Sequence, residues 1–402
     1  MSTGTPHAMR AAVAGMIAMA VCMGVGRFVF TPILPHMLSV NLFSTADAGL
    51  MAGLNFLGYL LGAIGAAWQG FARHRRTWFV IALLASAATT LAMGLTGDFI
   101  LQCVLRFASG VASAFAMIFV TTMVMAVLHE EGRERLIAVH FAGVGTGILA
   151  SALLVSGMVE TGAGWTWLWL AAGILAFAGW LSSFLLLPRP PVPAKQPVPE
   201  ASARRRRTPG FSAALWLLIG SYGCFGFGYV ITATFINTIA VTAAHSGTGD
   251  AASGLAAVEP WLWPAVGMAA IPSVWLWNKL AQAAGIFTTY AIACLVEAAG
   301  IGVLLIWVTP LSLVVSGVLL GGTFVAITAI GLAKARNMAG YEAPAAIALM
   351  TAAFGAGQIL GPVFAGYAHE QWDSFAPSLE AAMIALLFAV VLTVLAARSE
   401  RA

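Results

Sequence analysis

Two arginines lie where the chain has little tolerance for charge. Arg27 falls inside the apolar run 11–38 and Arg106 inside the run 99–128. A charge deep in hydrocarbon costs at least about 2.5–3.5 kcal/mol unless it meets a partner, a wet cavity or a ligand. A guanidinium carries N–H donors in a rigid fork that suits a carboxylate. Two of them facing one cavity would attract an anion. Arg27 is four residues before Thr31, which places both on one face of a regular helix. Pro32 and Pro35 follow, and their missing backbone donors invite a break in that helix. The opposing reading of Arg27 is a structural pin that bonds carbonyls freed at the bend. Arg106 shares its face with Ser109, Gly110 and Ser113, a stripe of small residues that permits close helix contact. It lies about eight residues from the end of its run, so bracing a neighbour or snorkelling to that end is the competing role.

The titratable groups divide by depth. Glu297 sits mid-run among Ala, Gly and Leu, where a carboxyl is costly to ionise. A proton carrier needs that property, but a structural or oligomer-contact role is the favoured reading there. Glu259, just before Pro260, is a second candidate for proton coupling, against a solvated helix-end acid. Histidine as a residue type titrates near neutral pH, which makes His140 a candidate relay or gate, although an interfacial histidine bonded to backbone is the simpler account. Asp47 and Asp98 open apolar runs and are expected as N-caps. Among neutral groups, Asn55, Tyr59, Tyr222, Tyr229, Thr232, Thr234, Asn237 and Gln358 are able to line a cavity with hydrogen bonds, and most such residues simply satisfy neighbouring helices. The sequence contains no phosphate loop, metal-ligand spacing or nucleophile–base pattern. No catalytic residue, metal or cofactor is therefore expected, and the chain does not read as an enzyme. Cys22, Cys103, Cys224 and Cys294 all lie in apolar runs and read as small buried thiols.

The elements that must position these residues are membrane helices. Of 402 residues, 60% are hydrophobic and 8% charged, with a mean hydropathy of +0.93. A soluble domain carries about a quarter charged residues, so the solvent is lipid. Runs long enough to cross a bilayer fall near 11–38, 46–69, 77–96, 99–128, 135–158 and 165–187. After a polar break they resume near 211–241, 254–277, 285–308, 311–333, 343–368 and 376–397, the tenth being the least secure. We call these spans 1–12. No run alternates polarity as a barrel strand would. Every Lys and Arg outside the spans lies on one side of this topology, and the intervening loops carry none. Positive charge marks the cytoplasmic side, so both termini are expected inside a bacterial inner membrane. Arg10 opens an apolar run too long for a cleaved signal sequence, so span 1 is expected to be retained.

The stretch 188–210, PRPPVPAKQPVPEASARRRRTPG, divides the spans six and six. Its prolines favour a semi-rigid spacer and its arginines an anchor at the lipid surface, a reading preferred to nucleic-acid binding. The expected organisation is 1–187 as one six-helix bundle, 188–210 as a cytoplasmic linker and 211–402 as the second bundle. Gly24-Val-Gly26-Arg27 matches Gly226-Phe-Gly228-Tyr229, and Gly143-Val-Gly145 matches Gly355-Ala-Gly357. The similar offsets point to duplicated units, with Tyr229 in Arg27's place.

This architecture resembles the major facilitator superfamily. GVGRFVFTPILPHM (24–37), GFGYVITATFI in span 7 and FGAGQILGP in span 11 resemble its YbfB/YjiJ-type branch through most of the chain. Arg106-Phe-Ala-Ser109-Gly110 resembles the superfamily's fourth-span motif. The loop with Arg73, Arg75 and Arg76 keeps the basic part of its gating loop without the usual Asp, and span 5 keeps the antiporter glycines without the proline. The resemblance implies an all-α membrane protein of twelve transmembrane helices in two pseudo-symmetric bundles. Spans 1, 4, 7 and 10 would line a central cavity, spans 2, 5, 8 and 11 flank it, and spans 3, 6, 9 and 12 lie outside. The expectation is a monomeric secondary transporter of a small organic solute, an anion being preferred, working by alternating access with protons as the candidate coupling ion. Arg27, Thr31, Arg106, Tyr229, Thr232, Gln358 and Asn55 are its substrate-binding candidates, and Glu259, His140 and Glu297 its proton-coupling candidates. The alternatives are an exporter of apolar compounds and a non-transporting receptor or scaffold.

Overall fold

The computed structural model describes residues 5–72, 74–187 and 211–401. The stretch 188–210 and Arg73 lie outside the described residues. Twelve helical segments among those described are long and apolar enough to cross a membrane. They are His7–Leu38, Thr45–Ala66, Arg75–Met93, Phe99–Glu130, Glu134–Glu160 and Trp165–Leu186, then Ala213–Ser246, Gly249–Ala284, Ile286–Ile306, Pro310–Ala339, Ala343–Trp372 and Ala376–Arg401. These replace the sequence bounds of spans 1–12, and the chain is a multi-pass membrane protein. Spans 7 and 8 run past their apolar windows, so the loop expected over 242–253 shrinks to Gly247 and Thr248. Residues beyond the apolar layer meet water and need no hydrophobicity to stay helical. Span 10, the least secure by sequence, is a full helix opened by Thr309, Ser312 and Pro310.

Local chemistry starts the helices. Asp98 caps span 4 by accepting from the Leu101 N–H at 2.8 Å. Asp47 is not itself the cap of span 2. Ser44 is, and Asp47 completes a capping box by accepting from the Ser44 N–H. Arg10 donates to the carbonyls of Leu185 and Leu186 at the end of span 6, where backbone acceptors lack intrahelical partners.

Spans 1–6 pack on one another, as do spans 7–12. Spans 3, 6, 9 and 12 lie on the periphery and expose apolar side chains such as Ile81, Ile174, Ile292 and Ile384. Exposed tryptophans form two belts, Trp68, Trp216 and Trp275 toward the termini and Trp167, Trp261, Trp307 and Trp372 on the opposite face. The duplication read from the glycines has a structural counterpart. Gly24 crosses span 5 against Gly147, and Gly357 crosses span 7 against Gly223 and Phe227. Span 1 thus meets span 5 as span 7 meets span 11.

The halves meet along spans 2 and 11, spans 5 and 8, and spans 1 and 7. On the face away from the termini these seams are tight. A Cβ on Gly49 would collide with the Pro362 carbonyl and one on Gly366 with the Thr45 carbonyl. Three hydrogen bonds cross there: Thr31 Oγ1 to Ala233 O at 2.7 Å, Ser156 Oγ to Pro260 O at 2.6 Å, and Ala46 N to Glu370 Oε1 at 3.1 Å. Nearer the termini Gly355 faces only the Leu60 side chain at 3.2 Å, whereas Gly145 still meets the Ile271 backbone of span 8.

Candidate functional site

The site begins with a break in span 1. The chain is α-helical to Met19, π-helical over Ala20–Val25, and turns before the helix Phe30–Leu38. Gly26 N–H bonds to Val21 O at 2.8 Å and Phe28 N–H to Met23 O at 3.3 Å, each five residues back. Thr31 N–H reaches only three back, to Phe28 O at 3.3 Å. π-bulges commonly mark functional positions. The break therefore precedes the prolines. Pro32 falls in the first turn of the new helix, where its missing N–H removes no intrahelical bond.

Arg106 holds the break open. Its Nη1 donates to Gly26 O at 3.4 Å and its Nη2 to Arg27 O at 3.3 Å, while Ser109 Oγ donates to Gly26 O at 3.0 Å. The guanidinium lies 4.6 Å over the Phe30 ring, and Asn55 Nδ2 donates to Arg106 O at 2.8 Å. Pinning the carbonyls of the bend, a role considered for Arg27, falls instead to Arg106. Both terminal nitrogens of Arg106 thus serve the brace, as does Asn55 through its bond to Arg106 O, and only the Arg106 Nε is without a partner among the described residues.

Arg27 is left uncommitted. It is 4% exposed and near mid-span. Nη1 lies 3.8 Å from Met23 Sδ, whereas Nε and Nη2 are buried without a hydrogen-bond partner among the described residues. Its guanidinium carbon sits 4.0 Å from the Tyr59 ring centroid and 4.8 Å from that of Phe56, a cation–π enclosure. Tyr59, Met23 and Met117 on the termini side are partly exposed, and Tyr59 OH donates to Met117 Sδ at 3.1 Å. Phe28, Val29, Phe30 and Ile33 beyond it are buried. Approach to Arg27 is thus closed on one side only.

An aromatic wall links Arg27 to the second half. Phe28 meets Phe324 edge-on at 5.7 Å and Trp263 at 6.3 Å. Phe324 lies parallel to Tyr229 at 5.8 Å, and Tyr229 parallel to Phe354 at 5.7 Å. Gln358 Nε2 donates to Tyr229 OH. The structure therefore brings Arg27, Tyr229 and Gln358 to one region. Phe28, Phe56, Phe324, Phe354 and the two methionines were not singled out in the sequence, because apolar rings and thioethers fill membrane helices everywhere.

The other candidates fall elsewhere. Thr31 does not share Arg27's face, since the intervening turn breaks the helical period and directs its hydroxyl to span 7. Thr232 is buried with its hydroxyl unpartnered among the described residues. Glu259 accepts from Asn237 Nδ2 at 2.7 Å between spans 8 and 7. Glu297 accepts from Thr323 Oγ1 at 3.1 Å and is 2% exposed. It faces span 10 inside its own half, which fits the structural member of the two roles expected of it. His140 bonds Thr121 Oγ1 at 3.0 Å and packs against Gly15, inside the first half. No group of three or more His, Cys, Asp or Glu among the described residues is placed to hold a metal.

Comparison with solved structures shows the same fold. A point mutant of the nucleoside transporter NupG superposes with a TM-score of 0.71 at 14% identity, covering 97% of this chain and 99% of that one. A bacterial homolog of the human lysosomal transporter Spinster, inward-facing and unoccupied, gives 0.69 at 14% identity over 98% of each chain. The same homolog in its occupied form gives 0.68 at 16% identity, covering 99% and 97%. No curated protein matches. The family model described as "Uncharacterised MFS-type transporter YbfB" matches residues 19–394. With its twelve spans, its broken first helix and that match over nearly its whole length, the chain belongs to the YbfB-type family of MFS transporters.

Proposed function

We propose that the chain moves a small organic anion across a bacterial inner membrane by alternating access, with Arg27 as the group that holds the anion. One observation carries this reading: Arg27 is buried at mid-membrane with two N–H-bearing nitrogens unpartnered among the described residues, beside partly exposed Tyr59, Met23 and Met117. Buried charges are ordinarily paired, so a donor edge held this way favours an acceptor that comes and goes. The bundles 1–187 and 211–402 are the bodies that rock about it. The one-sided distribution of Lys and Arg supports cytoplasmic termini in this reading. With the opposite face sealed, access to Arg27 in this reading comes from the cytoplasmic side.

Glu259 is the coupling group among the three titratable candidates. Its partner is the neutral Asn237 amide, and no cation lies within ion-pair distance of it among the described residues. The next residue's carbonyl accepts the Ser156 hydroxyl across the two halves, so ionising Glu259 acts on the seam. Glu297 and His140 are each enclosed within one half.

Proteoliposome uptake tests the reading. Labelled organic acids and their uncharged amides are compared in wild type and Arg27→Gln. Uptake of acids that depends on Arg27 is expected. Acid uptake unchanged by Arg27→Gln refutes it, and a protective shift only toward unrelated apolar toxins in cells supports the exporter instead.

A further inference from the structure

Building on Arg27 as the anion holder, we infer that the site selects a single carboxylate attached to a flat apolar body, an aryl or conjugated monocarboxylate. The unpartnered nitrogens are Nε and Nη2, which share one edge of the guanidinium and present two parallel N–H groups. That edge matches the two oxygens of one carboxylate. The Tyr59 ring at 4.0 Å covers the guanidinium, and the third nitrogen lies against Met23 Sδ. An acceptor must therefore arrive edge-on, as a planar carboxylate does.

Charge count excludes a second anionic group. The other buried arginine, Arg106, has both terminal nitrogens on backbone carbonyls and keeps only its Nε unpartnered among the described residues, too few donors for a second carboxylate's two oxygens. A dicarboxylate would bury its second charge without a cation, which is strongly unfavourable. The walls specify the body. Tyr229 and Phe324 are buried against their neighbours, whereas Tyr59 and Phe354 are half-buried, and these two rings offer the apolar faces against which a flat solute can stack.

Isothermal titration of the full chain in detergent tests this with cinnamate, cinnamamide, terephthalate, acetate and succinate as probes. Cinnamate is expected to bind, with cinnamamide, terephthalate and acetate each weaker by about 10- to 100-fold. Arg27→Lys keeps the charge but loses the fork and is expected to weaken cinnamate by a similar factor. Wild-type comparisons need no variant, so misfolding of a mutant does not blunt the test. Succinate or terephthalate binding as tightly as cinnamate, with dependence on Arg27, overturns the monocarboxylate selection and leaves the organic-anion reading standing. Cinnamamide binding as tightly as cinnamate, unaffected at Arg27, overturns both. No binding of cinnamate at millimolar concentration overturns the selection alone if another Arg27-dependent anion binds.

Discussion

The Arg106 guanidinium donates to the backbone carbonyl of Arg27 at 3.3 Å, so one buried arginine positions the other. Two like charges in a medium of low dielectric repel, and the carbonyl dipoles of Gly26 and Arg27 lie between them as partial compensation. The pair divides its work. Arg106 satisfies the backbone where span 1 abandons its regular ladder, which leaves Arg27's side chain turned toward Tyr59 and Met23.

That division predicts opposite effects on stability. Arg106→Met strips donors from two carbonyls in a dry site, a loss of about 1–3 kcal/mol. Arg27→Met removes unpartnered donors and is expected to leave the melting temperature unchanged or higher. Thermal unfolding of both variants in one detergent decides the matter, and equal destabilisation by the two would contradict the assignment.

The hydrogen bonds across the halves set the conformational balance. Thr31→Val with Ser156→Ala removes two of them at nearly constant shape. A hydrogen bond between membrane helices contributes about 0.6 kcal/mol on average, so the pair shifts the population toward opening by about an order of magnitude. Spin labels at Val40 and Val308, both exposed on that face, are expected to show a longer-distance component. An unaltered distance distribution would count against the clasp.

Close glycine contact is required for the same face to seal. A branched side chain at Gly49 or Gly366 meets backbone rather than a movable side chain. Gly366→Val is expected to abolish transport while exposing a cysteine placed at Ile33, buried in the native protein, to an impermeant maleimide from that face. Full transport by Gly366→Val would show that the seam does not need this approach.

Glu259→Gln keeps an oxygen to accept from Asn237 and cannot release a proton. Solute exchange between equal internal and external pools is expected to continue, and accumulation driven by a proton gradient to disappear. If the variant still accumulates solute under the gradient, the coupling group lies elsewhere.

Much of the architecture was legible in the residues. Apolar runs located the helices, because the bilayer sets their length, and Asp98 marked the start of span 4 because its carboxylate satisfies a first-turn donor, whereas the caps Ser44 and Thr309 were not singled out. The matched glycine pairs pointed to duplicated units, and the helices they cross, span 5 against span 1 and span 11 against span 7, became visible only in the fold. The length of spans 7 and 8 was less legible, because helix outside the lipid carries no hydropathy signal.

Sequence alone determined that Arg27 and Arg106 are buried charges unexplained by topology, for depth along an apolar run follows directly from counting residues. Which of them is free was decided only by the fold. Arg106 meets carbonyls 79 and 80 positions away, and those carbonyls are available only because span 1 passes through a π-helical segment and a turn. Tyr59, Phe324 and Phe354 reach the same region from three other spans. A helical period reports which residues share a face of one helix, but the acceptor that a side chain finds depends on how separate helices cross.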